Sequence, residues 1–111
     1  MRALLAEFFG TMALVFIGTG AIVLDSLYGG VGTWGIAVAF GGIVGLMILL
    51  LARFSGAHFN PAVTIGTQVG SLFFNTSNVA AVSMWIYILA DTIGSILAVL
   101  VFRITNPAEY R

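Results

Sequence analysis

The chain has 111 residues, 60% of them hydrophobic and 7% charged, with no cysteine and a formal net charge of zero, and its mean hydropathy is +1.13. A soluble domain needs far more charge to cover its surface, so the composition places the chain in a membrane. It excludes a disulfide framework and a thiolate metal site; with lysine absent, it also excludes a basic patch for nucleic acid.

Three apolar runs are long enough to span a bilayer. Residues 3–24 come first, interrupted only by Glu7. This run is too long for a signal-peptide core and lacks a small-residue cleavage site before the next charge, so it is expected to be a retained helix. Residues 34–52 form the second run, closed by Arg53, and residues 79–102 the third, carrying Asp91 inside and ending at Arg103. At 1.5 Å per residue the three give roughly 33, 28 and 36 Å, against about 30 Å of hydrocarbon. The stretch "DSLYGGVGT" between the first two reads as a Gly-rich turn.

Between the second and third runs lies a segment too apolar for a solvated loop and too broken for a spanning helix. Its core is "SGAHFNPAVTIG", residues 55–66. Ser55-Gly56-Ala57 favours an irregular backbone, Asn60 suits an N-cap, and Pro61 suits the first helical position. "AVTIGTQV" then continues as about two turns, with Gly70 as the expected end. Exposed backbone leading into a short apolar helix cannot face lipid, because its carbonyls would go unsatisfied. The segment, about 54–70, is therefore expected to be a re-entrant half-helix, buried in protein or lining water. Its N-terminus carries roughly half a positive charge.

"SGAHFNPAVTIG" resembles the first Asn-Pro-Ala loop of the aquaporin and glycerol-facilitator family, the major intrinsic proteins. "AEFFGT" at 6–11 is similar to that family's first-helix signature, and "YILADTIGSILA" at 87–98 resembles its third helix. The resemblance runs from about Leu4 to Phe102 and is most specific at the loop. It implies an all-α membrane fold of three spanning helices plus one half-helix, which is one half of the family's inverted repeat. It also implies a passive channel for water and small neutral solutes, not an enzyme, in an integral, multi-pass membrane setting such as a plasma or inner membrane. By the same resemblance, Asn60 donates from its amide to a single file of water. Pro61 and Ala62 stack the two half-helix ends together, and the carbonyls of Gly56, Ala57, His58 and Phe59 line the approach. Phe40 matches an aromatic that narrows the family's filter, and Glu7 matches a glutamate that braces the loop through backbone amides.

Each residue has a plainer reading beside this one. Asn-Pro alone is a turn and helix start, and a lone His58 is more often a hydrogen-bonded structural residue than a metal ligand. Phe40 would ordinarily pack or face lipid, and Glu7 could snorkel. The twelve-residue context favours the pore role for Asn60 and the carbonyls and a structural one for Glu7. No metal-ligand cluster, nucleotide loop or catalytic dyad is present, and no cofactor is implied.

Two features depart from the family pattern. Asp91 stands where the third helix usually has glutamine, and an ionisable group inside a spanning helix is a candidate functional residue; its expected role is structural. Asn-Pro-Ala also recurs at 106–108, but no Ser-Gly-x-His precedes it and only Glu109, Tyr110 and Arg111 follow, so it is expected to be a chance turn. Small residues form two stripes, Gly41 and Gly45 in the second run and Ala90, Gly94 and Ala98 in the third, of the kind that lets membrane helices approach closely.

The resemblance covers only the first half of the family's six-helix pattern, and three helices cannot surround a pore. Two oppositely inserted copies would recreate an inverted repeat. Arg2 and Arg53 fall on one side, Arg103 and Arg111 on the other, a tie that gives no orientation bias. The expected assembly is thus an antiparallel homodimer or higher oligomer. The rival is an amino-terminal part of a six-helix channel, inactive until joined by a second half. A third reading is a non-conducting membrane protein that binds a partner helix. In the dimer the residue after Ala62 is Val63 in both copies. The filter would then be built from Phe40, Val63 and Ala57 without charge, and would pass small uncharged solutes such as glycerol or ammonia beside water.

Overall fold

In the computed structural model, residues 1–76 and 81–107 are described, and they form four α-helices and no strand. These are α1 (Arg2–Tyr28), α2 (Gly32–Ser55), α3 (Pro61–Phe74) and α4 (Ala81–Thr105). Helices α1, α2 and α4 are each long and apolar enough to cross a membrane. At 14 residues, α3 is roughly 21 Å long and cannot.

Every helix differs at its ends from the sequence expectation. Helix α1 continues past Leu24 to Tyr28 because Asp25 belongs to its last turn. From there the Asp25 carboxylate accepts the backbone N–H groups of Val31 at 3.1 Å and Gly32 at 2.8 Å, capping the start of α2. Anions are favoured at a helix N-terminus, where the first N–H groups lack intrahelical partners. Helix α2 runs to Ser55 and stops at Gly56, whose left-handed backbone (φ 94°) lets its N–H close onto the carbonyl of Ala52. Helix α3 does not end at Gly70. It continues to Phe74, where left-handed Asn75 ends it. Helix α4 reaches Thr105; Val79, the expected first residue of its run, lies outside the described residues.

Helix α1 is the centre of the fold, with α2 packed along one side and α4 along the other, while α3 leans on α4. Its buried residues, Ala6, Glu7, Gly10, Thr11, Gly18 and Gly20, fall largely at helical spacings of three and four. Thr11 and Gly20 meet Asp91 and Phe102 on the buried stripe of α4, whereas Gly10 lies under Phe59 and Gly18 under Phe40 of α2. Small residues set the approach. A Cβ on Gly94 would lie 2.5 Å from the backbone oxygen of Phe8, so only glycine lets α4 come this close to α1.

The other stripe does not act in the same way. Gly41 and Gly45 are exposed, and a Cβ on either would meet nothing within 4 Å. Helix α2 turns Phe40 onto Gly18 of α1 and leaves the neighbouring glycine ridge open. Within this chain the close approach of helices is therefore made by α4, and the expected contact at Gly41 and Gly45 is not made.

Candidate functional site

The turn out of α2 is built from backbone conformations that most residues avoid. Gly56, Ala57 and Phe59 all have positive φ, at 94°, 57° and 52°. For the two non-glycine residues this is strained, and it persists only where the surroundings hold it. The surroundings are specific. Ser55 Oγ accepts the N–H of Ala57 at 3.0 Å, and the Tyr87 hydroxyl on α4 donates to the Ser55 carbonyl at 2.8 Å. Glu7 on α1, wholly buried, accepts the N–H of His58 at 3.1 Å through one oxygen and that of Phe59 at 2.7 Å through the other.

Side chains complete the anchor. The Phe59 ring, 2% exposed, lies on Gly10 so closely that a Cβ there would fall among its carbons. The buried His58 ring shares a hydrogen bond with the Thr64 hydroxyl through Nδ1 at 3.0 Å and packs edge-on against Tyr87. The loop is thus pinned to α1, α3 and α4 at once.

What the loop leaves free is its other side. Among the described residues, none of the carbonyls of Gly56, Ala57, His58 and Phe59 accepts a hydrogen bond. Directly after them, Asn60 Oδ1 accepts the N–H of Ala62 at 2.8 Å, making Asn60 the N-cap of α3 with Pro61 at the first helical position. Because the oxygen is fixed on that N–H, the exposed Asn60 amide presents both its N–H donors away from the helix. A row of four acceptors therefore ends at a pair of donors, at the positive end of a helix.

The remaining expected residues are distributed around this centre. Val63, in the first turn of α3, is 43% exposed. Phe40 is partly exposed with its ring over Gly18. Asp91 is wholly buried and accepts the Thr11 hydroxyl at 2.8 Å, which ties α4 to α1 one helical turn from Glu7. The second Asn-Pro is a helix end: the Asn106 amide donates to the Phe102 carbonyl at 3.0 Å, closing α4, and Ala108, Glu109, Tyr110 and Arg111 lie outside the described residues.

Five partners in this site are not apparent from motif reading: Gly10, Thr11, Ser55, Thr64 and Tyr87. A signal for three of them exists. Glu7 and Thr11, and likewise Tyr87 and Asp91, are polar pairs spaced i, i+4 in apolar helices, and Thr64 follows Asn60 at the same spacing, so each pair shares one helix face. Ser55 and Gly10 carry no such pattern.

The sequence that forms this site is similar to known proteins. Residues 1–110 match the major intrinsic protein family. Aquaporin Z of Photorhabdus laumondii is 42% identical over 111 residues, covering 98% of this chain and 46% of its own length. A probable NIP-type aquaporin of Nicotiana alata is 37% identical over 99% of this chain and 40% of its own length. The probable aquaporin NIP4-2 of Arabidopsis thaliana is 42% identical over 93% of this chain and 35% of its own. The chain thus spans less than half the length of these relatives. With its three apolar helices it is an integral, multi-pass membrane protein, and it belongs to the major intrinsic protein family.

Proposed function

We propose that the chain forms one half of a passive channel for water and small neutral solutes, and that a second, oppositely inserted half completes the pore. The observation that carries this reading is the loop of residues 56–59. It has four carbonyls without partners among the described residues, next to the outward-facing Asn60 amide. A backbone carbonyl left unsatisfied in hydrocarbon costs several kcal/mol, on the order of what a hydrogen bond to water returns. Four in a row need a water-filled path or facing protein donors, and a path for water is what the proposed pore supplies. A helix of 14 residues that starts at this loop is too short to cross, so it enters and ends within the membrane as a re-entrant element.

A second copy of the chain suits the missing half. Both copies would bring their Asn60 ends together at the midplane, related by an axis in the membrane plane. Phe40, Val63 and Ala57 would then form an uncharged filter at either mouth, and cation exclusion would rest on the paired helix N-termini and the two Asn60 amides. Such a filter passes glycerol or ammonia beside water. One observation favours a different second half: the relatives are more than twice the length of the matched region, so a distinct carboxy-terminal half could complete the pore.

Osmotic shrinkage of liposomes holding the purified chain distinguishes the two. Self-completion predicts that the chain alone raises water permeability well above protein-free vesicles and also admits glycerol. Permeability at the protein-free level, rising only when a carboxy-terminal half is co-reconstituted, would establish the second reading. No rise under either condition would remove the channel.

A further inference from the structure

Among the described residues two buried side-chain atoms have no hydrogen-bond partner, His58 Nε2 in the loop and Asp91 Oδ2 on α4, and the second belongs to a carboxyl group, which can be charged. Asp91 is wholly buried, its Oδ1 accepts from Thr11, and its Oδ2 has no hydrogen-bond partner. A buried carboxyl oxygen without a donor is a costly arrangement, so it asks for an explanation.

The neighbouring groups supply one. Thr11 and Glu7 are one turn apart on the same face of α1, so the group bonded to Thr11 sits beside Glu7. Both carboxyls are wholly buried where α4 packs on α1 and the loop, Asp91 tied to the Thr11 hydroxyl and Glu7 to the loop amides. Each element around the pair contributes a limited set of charged or titratable groups. From α1 comes Glu7; from α4 itself, Tyr87, whose hydroxyl donates to Ser55; from the loop, His58, whose ring is engaged with Thr64. The described arginines stand elsewhere, Arg2 at the start of α1 and Arg53 and Arg103 in the last turns of α2 and α4. Among the described residues no arginine forms an ion pair with either carboxyl.

Two carboxylates side by side in a low-dielectric interior repel, and one proton between them removes the repulsion and makes a hydrogen bond. The geometry also says which partner takes it. Both Glu7 oxygens already accept backbone N–H groups, whereas Asp91 Oδ2 has no partner among the described residues and is the oxygen left to carry the proton. We propose that Asp91 is present as the neutral acid and donates its Oδ2–H to the Glu7 carboxylate, so that the pair carries one negative charge and Asp91 acts as a positioning residue for the loop. Through this bond α4 holds the same carboxylate that holds the His58 and Phe59 amides. The inference concerns the anchor and is independent of what, or whether, the assembly conducts.

Infrared difference spectroscopy of the full chain in liposomes at neutral pH tests it. The expected result is a carbonyl band of a non-ionised carboxylic acid that shifts in D₂O. It should also shift when the aspartates carry ¹³C carboxyls, and it should vanish in Asp91→Asn. The other aspartate, Asp25, accepts two backbone N–H groups at the turn between α1 and α2, and Asp25→Asn is expected to leave the band in place. The labelled wild-type protein makes the test independent of whether the variant folds. Absence of the band in the wild type, a band unmoved by the aspartate label, or a band that persists in Asp91→Asn would each overturn the proposal.

Discussion

The Asn60 side chain accepts from the Ala62 N–H through Oδ1, and that bond turns its amide donors out from the helix it caps. Aspartate at this position would keep the cap, which is worth about 1 kcal/mol, but would replace the two outward donors with a second carboxylate oxygen. Helix formation therefore survives while the field at the mouth of α3 reverses sign. Asn60→Asp is expected to leave the elution volume and helical content unchanged, to cut water and glycerol flux several-fold, and to open a cation leak. Liposome shrinkage together with a cation-sensitive dye measures both; unaltered flux and no leak would take Asn60 out of the pore. The neighbouring Glu7 works by a different physics. Its two N–H bonds satisfy donors that would otherwise be buried without partners, each at a penalty of about 1–3 kcal/mol. Its role is in holding the loop, where Ala57 and Phe59, unlike Gly56, carry side chains that disfavour their left-handed backbone.

At the scale of helices, the two small-residue stripes have different consequences. Gly94 is in contact with the backbone of Phe8, which cannot swing aside as a side chain could. Gly94→Leu is expected to force α1 and α4 apart and destabilise the chain by about 3 kcal/mol, the upper end of overpacking effects. Gly45 meets nothing within the chain. Gly45→Leu should therefore leave the unfolding midpoint of the single chain in detergent unchanged and shift the oligomer to smaller species in size-exclusion chromatography. The same comparison marks what the sequence makes legible. The three spanning helices follow from apolar runs whose length matches the bilayer, and Asn60-Pro61 carries its own cap signal. Helix ends are less legible because they depend on partners outside the helix. Asp25 extends α1 by capping α2, and α3 passes a glycine that its neighbours tolerate. The anchor is least legible. Thr11 and Asp91 are 80 residues apart, and Tyr87 and Ser55 are 32 apart; only folding brings them together. Glu7 was expected as a brace from family resemblance alone, whereas apolarity and spacing left it equally able to snorkel.

For the whole molecule the question is what lies against α2 and α3. Helix α2 buries only Ser55, and α3 exposes Val63, Ile65, Val69, Leu72, Phe73 and Phe74. Lipid suits such side chains, but it does not suit the loop carbonyls at the head of α3, which need water or further protein beside them. If that protein is another copy, the even split of arginines between the two sides permits both insertions. Carboxy-terminal tags should then be found on both faces of the membrane by protease protection, in similar amounts. A tag on one face only would exclude the antiparallel pair and leave a distinct second half as the remaining solution.

The absence of cysteine from the chain makes the central claim open to a direct measurement. Val63→Cys is close to isosteric and places a single thiol on the exposed first turn of α3, beside Asn60. Water permeability of liposomes holding this variant, together with a carboxy-terminal half if the chain alone does not conduct, is measured before and after a mercurial. The account predicts that the wild-type assembly is insensitive, and that Val63→Cys loses most of its water flux on treatment and recovers it on adding excess thiol. Unchanged flux in a variant shown by mass to be modified would contradict it, because water would then be passing somewhere other than the head of α3.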